Sequence, residues 1–133
     1  MFGNLLKKAA RNACFYNISS DVNHLVRVFP SDPPAASKHL LSFIENVFLA
    51  MEHSATSDEL IIKVGTQLGE QCDPALGFML FNTIQGMDAL RRKDKVLADA
   101  KAAIADSIFR EQTGTDGDTT KCDILSRYFS KQP

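Results

Sequence analysis

Cysteine is sparse and scattered in this 133-residue chain: Cys14, Cys72 and Cys122 are odd in number and far apart. No C-x-x-C occurs, which excludes a zinc ribbon and a thioredoxin-type redox pair. Unpaired cysteines of this kind fit a reducing compartment. Long apolar runs are missing too. Nowhere do about 18 apolar residues follow one another, so no membrane-spanning helix is expected. Lys7, Lys8 and Arg11 interrupt the apolar stretch that a signal peptide needs, and Phe2 stands where myristoylation needs glycine. A soluble, cytoplasmic protein is the expectation.

Charge of one sign is also lacking. Fifteen Lys and Arg against sixteen Asp and Glu leave a net charge of −1, so bulk electrostatics do not point to nucleic acid. The charge is nevertheless uneven. Residues 1–30 carry Lys7, Lys8, Arg11 and Arg27 against Asp21, whereas residues 31–73 carry two lysines against seven acids. Complementarity within the chain is the simplest account of that split.

The motifs of catalysis are absent. There is no G-x-x-x-x-G-K-[ST], no G-x-G-x-x-G and no G-x-S-x-G. Asp116-Gly117-Asp118 begins like a calcium loop, but Lys121 and Arg127 occupy the positions of its glycine and its bidentate acid. His39 and His53 share a helix but lie about four turns apart, too far to hold one ion. His24 reads as isolated. No catalytic residue, metal site or cofactor is expected, and the chain reads as a non-enzyme.

What is present is helical periodicity. Hydrophobic content of 44% in 133 residues suffices for one core without staples. Residues 2–16 carry an apolar stripe of Phe2, Leu5, Leu6, Ala9, Ala13 and Tyr16, with Lys7, Lys8 and Arg11 opposite. The stripe is expected to dock on the core, with contact to an anionic surface through the three cations as the alternative. Ser19, Ser20 and Asp21 offer an N-cap for a second short helix through Val22, Leu25, Val26 and Phe29. The alternation Val26-Arg27-Val28 also allows a strand.

Prolines 30, 33 and 34 form a stiff connector, and Asp32 is placed to cap a helix over 35–53. Thr56 and Glu59 have capping-box spacing for a third helix, with Ile61, Val64, Leu68 and Cys72 inward. Gly65 falls near that stripe, which implies close approach of a neighbour. Asp73-Pro74 opens the central helix 74–92, where Leu76, Leu80, Ile84 and Met87 follow one face and Met79 and Leu90 flank it. An Ala-rich helix over 95–111 turns Leu97, Ala100, Ile104 and Ile108 inward, with Phe109 at its end. The cationic turn Arg91-Arg92-Lys93-Asp94-Lys95 between them is explained by helix-terminal charge complementarity.

These elements predict an all-α fold: a compact bundle of five to six helices over 1–112. A linker and a short amphipathic C-terminal segment follow over 113–133. The function expected is a non-enzymatic protein-interaction module of adaptor, regulator or inhibitor type that self-associates. Phe78, beside Asn82 and Gln85, has the make-up of an interface anchor, with contact to the N-terminal helix of the same chain as the alternative. Phe81, Tyr128 and Phe129 complete the partner-binding set. The alternative is a bundle that binds a small molecule in an apolar pocket between helices 35–53 and 74–92, lined by Phe43, Phe48, Met51, Met79 and Met87.

Overall fold

The computed structural model describes residues 2–69 and 73–114. They form an all-helical bundle of five helices: α1 (Phe2–Val28), α2 (Pro33–Glu52), α3 (Ser57–Leu68), α4 (Pro74–Arg91) and α5 (Lys95–Thr113). Among the described residues there is no strand, and no helix is long and apolar enough to cross a membrane. The amphipathic segment expected near 123–129 and the boundary at 113 lead into residues outside the described part.

Four helices begin where a side chain satisfies the orphan amides of the first turn. The Asp32 carboxylate accepts from Ala35 N, with Pro33 and Pro34 in the first turn of α2. Thr56 and Glu59 make a complete capping box on α3. Asp73 accepts from Ala75 N ahead of Pro74, and Asp94 from Leu97 N. α3 stops at Gly69, whose φ of +55° suits glycine and whose N–H returns to Gly65 O.

The start of the chain departs from expectation. α1 runs unbroken through Ser19-Ser20-Asp21 rather than ending and restarting there. Asp21 is no cap, because its carboxylate faces α2 and accepts from Ser42 Oγ at 2.9 Å and Asn46 Nδ2 at 3.3 Å. The stripe at 5, 6, 9, 13 and 16 does not dock either. The core face of α1 is Cys14, Ile18, Val22 and Leu25, about half a turn away around the helix. Leu5, Leu6 and Tyr16 are 63%, 56% and 76% exposed.

The α1–α2 register explains the exposure at the N-terminus. Asn17 meets Asn46, Asp21 meets Ser42 and His24 meets His39. The paired numbers always sum to 63, as an antiparallel pair requires. Glu52, the last residue of α2, is therefore level with Arg11, and the turns before it overhang the bundle. Residues 5–9 are exposed throughout.

α4 behaves as expected of a central helix. Leu76, Leu80, Ile84 and Met87 are fully buried, joined by Met79, Thr83 and Ala89. Its most extensive partner is α5, which turns Ala98, Ala102, Ala105 and Phe109 inward. The expected inner set was one residue off in register: Leu97 and Ile108 are half-buried flanks, while Ala100 and Ile104 are exposed. Small residues win because they let the two helix axes approach closely. On α3 the buried positions are Leu60, Val64 and Leu68, with Ile61 half-buried; Cys72 lies outside the described residues.

Gly65 is less tightly hemmed than the sequence implies. A Cβ there meets the Phe81 ring no closer than 3.5 Å, an ordinary contact. Gly65→Ala should therefore stabilise the fold by about 0.5–1 kcal/mol, the helix-interior cost of glycine. Chemical denaturation measures this, and a lower unfolding midpoint would show that Phe81 cannot yield.

Candidate functional site

The residues that make a surface feature lie where α3 ends and α4 begins. Gly65, Leu68 and Gly69 from α3 and Pro74, Gly77, Phe78 and Phe81 from α4 line a groove of about 310 Å³. Two glycines shape its floor. The half-buried Phe81 ring lies over both Gly65 and Gly77, 3.5 to 3.8 Å from where their Cβ atoms would stand. Phe78, one turn earlier on α4, is 60% exposed and forms the rim.

Of the expected partner-binding residues, the structure therefore gathers Phe78 and Phe81 in one groove. Asn82 and Gln85 are half-buried on the same side of α4, and the Asn82 amide donates to Phe78 O at 2.8 Å. That bond holds the polar edge of the patch against its own helix. Tyr128 and Phe129 lie outside the described residues.

The expected ligand-pocket residues are placed differently. Phe43, Met51, Met79 and Met87 are packed within the hydrophobic core. Phe48 is half-buried, with the Arg91 guanidinium 5.9 Å from its ring centroid. The neighbouring cations of the α4–α5 turn are engaged as well, Arg92 with Asp88 and Lys95 with Asp99, each at 3.0 Å. A second concavity of about 380 Å³ lies between α1 and α3. Polar contacts cross it: Gln67 Nε2 donates to Ser19 O and Asn23 Oδ1, and Lys63 sits 4.8 Å from the centroid of the Phe15 ring.

A polar cluster that the sequence did not reveal joins α1 to α2. Asp21 is buried and accepts from Ser42 and Asn46, Asn46 in turn donates to Ser42 O, and Asn17 donates to Asn46 Oδ1. His24 is not isolated. Its ring stacks on His39, with centroids 4.4 Å apart and planes 13° from parallel. The available signal was Asp21 at core spacing with Ile18, Val22 and Leu25, but its partners follow only from the helix register.

The cluster unites a carboxylate, imidazoles and a hydroxyl without forming a triad. The Ser42 hydroxyl donates its hydrogen bond directly to Asp21, so no imidazole stands between nucleophile and acid. One ion cannot lie in the planes of two nearly parallel stacked rings, so the pair as placed does not chelate. Among the described residues, no group of three or more His, Cys, Asp or Glu is arranged to hold a metal.

Burial pushes the Asp21 carboxyl above the usual carboxylate range, against the pull of Ser42, Asn46, His39 and His24. Burial lowers His39 below its ordinary 6.5, helped by His24 and Lys38 and opposed by Asp21. A lowered histidine contributes stability above its unfolded value that is lost as pH falls through the folded one. The raised Asp21 works oppositely, contributing in acid and losing that contribution as pH rises.

Comparison with protein-family models, with curated proteins and with solved structures finds no match for this chain.

His39→Gln should remove the histidine part of this dependence. Urea unfolding at pH 7.5 and 5.5 should show the wild type losing stability relative to the variant on acidification. Parallel losses in both proteins would assign the pH response to other groups.

Proposed function

We propose that this chain is a non-enzymatic protein-interaction module of adaptor, regulator or inhibitor type that self-associates in the cytoplasm. The observation that carries the reading is Phe78, a large aromatic left 60% exposed on the rim of an apolar groove. The core beneath includes ten large side chains that are essentially inaccessible, and Phe78 is not part of it. An exposed aromatic beside a concavity, edged by amides, has the composition of a binding hot spot. The buried, unpaired Cys14 thiol suits a reducing compartment.

A small apolar ligand in the same groove is the second reading. Its volume is what favours it, since small-molecule sites begin near 300 Å³. The two readings separate by native mass spectrometry: dimers or a bound chain under the first, and a compound released on denaturation under the second.

Phe78→Ala should weaken association by about 2 kcal/mol or more, roughly thirtyfold in Kd, while thermal unfolding of the monomer shifts little. Sedimentation measures the first and calorimetry the second. An unchanged association constant would remove Phe78 from the interface.

A further inference from the structure

The outward stripe of α1 has a spacing that its burial does not explain. Leu6, Ala9, Ala13 and Tyr16 recur at intervals of three, four and three, the a/d pattern of a coiled-coil seam. All four face away from the core residues Cys14, Ile18, Val22 and Leu25. We infer that this stripe is a contact between two copies of the chain, packed antiparallel along α1. The inference rests on the self-association proposed above but uses a surface other than the groove.

The cations select the antiparallel arrangement. Parallel packing sets Lys7 and Lys8 level with their own copies, whereas antiparallel packing about residue 11 sets them level with the uncharged Phe15 and Cys14. With the twofold axis near residue 11, Leu6 lies opposite the partner copy's Tyr16, and Ala9 lies opposite its Ala13. Bulky side chains then close the two ends, and the central alanines let the helices approach. The contact is self-complementary, as a twofold interface must be.

Charge supports a second copy as the occupant. This segment is basic, and a homotypic contact between basic helices fails if the cations meet. Lys7, Lys8 and Arg11 all lie off the seam, and the positions bordering it (Gly3, Leu5, Ala10, Asn12, Asn17 and Ser19) carry no charge. The overhang beyond α2 leaves room for the partner helix at Leu5 and Leu6. Area sets the strength. Three large apolar side chains, each more than half exposed, fall short of the roughly 800 Å² per partner of a standard interface. The dimer is therefore weak and depends on concentration.

Sedimentation of the full chain between about 10 μM and 1 mM tests this range of affinity. The wild type should dimerise across it. Ala9→Lys with Ala13→Lys, at exposed positions that leave the fold intact, should raise Kd at least about tenfold by placing like charges across the seam. Circular dichroism confirms that the variant remains helical. Phe78→Ala, which removes the groove contact, should leave a chain that still dimerises through α1 over this range. The paired lysines should weaken the dimer on that background too. If Phe78→Ala abolishes the dimer while the paired lysines do not, the inference falls and the groove reading stands.

Register is read by oxidative cross-linking with Cys72 and Cys122 replaced by serine. Ala9→Cys mixed with Ala13→Cys should link as a heterodimer. Preferential linking of Ala9→Cys to itself would overturn the antiparallel pairing. A chain that stays monomeric at 1 mM but binds vesicles containing phosphatidylserine would overturn the inference in favour of a lipid surface.

Discussion

Burial of the Asp21 carboxylate between α1 and α2 constrains much of the rest. A carboxylate removed from water must find donors or lose its charge, and Asp21 finds Ser42 and Asn46 one helix away. Those donors lie a single turn apart on α2, so sliding either helix strands the group. The register that results stacks His24 on His39 and places Arg11 level with the end of α2. It also keeps α1 helical through Ser19-Ser20-Asp21, three residues whose side chains ordinarily favour a helix start. Here the Asp21 carboxylate bonds across to α2 instead of capping a helix start.

The other half of the molecule is organised by small residues. α5 presents Ala98, Ala102 and Ala105 to the bundle, and α4 is its most extensive partner. Short side chains draw these helices together and leave Phe109 to fill the far end, where its ring lies 6.0 Å from Phe29. α3 ends at Gly69, and its last turns meet the first turns of α4 through Gly65, Leu68 and Gly77. The groove with Phe78 on its rim lies along that glycine-rich contact.

The two outward apolar features thus have different origins. The groove lies beside Gly65, Gly69 and Gly77, which present no side chain to it, and the α1 stripe is free because it faces away from the core. Phe78 and the stripe both lie outside the buried core. Side chains that contribute little to the monomer and would be better covered are the ones from which contacts between proteins are built.

The sequence by itself determined the helical class, four helix starts and the identity of the central helix. Each of these is written in neighbouring residues: Asp32, Thr56 with Glu59, Asp73 and Asp94 bond amides within three positions of themselves. Periodicity likewise exposed the stripe at 5, 6, 9, 13 and 16, and composition singled out Phe78. The direction each stripe faces was decided only in the tertiary structure. α1 carries two apolar faces about half a turn apart, and the one that turns inward is Cys14, Ile18, Val22 and Leu25, with Asp21 bonded to α2 beside them. α5 carries alanines beside larger apolar residues, and close approach to α4 chose the alanines. Pairing across helices, as in the Asp21 cluster and the His24–His39 stack, depends on register, which no local pattern encodes.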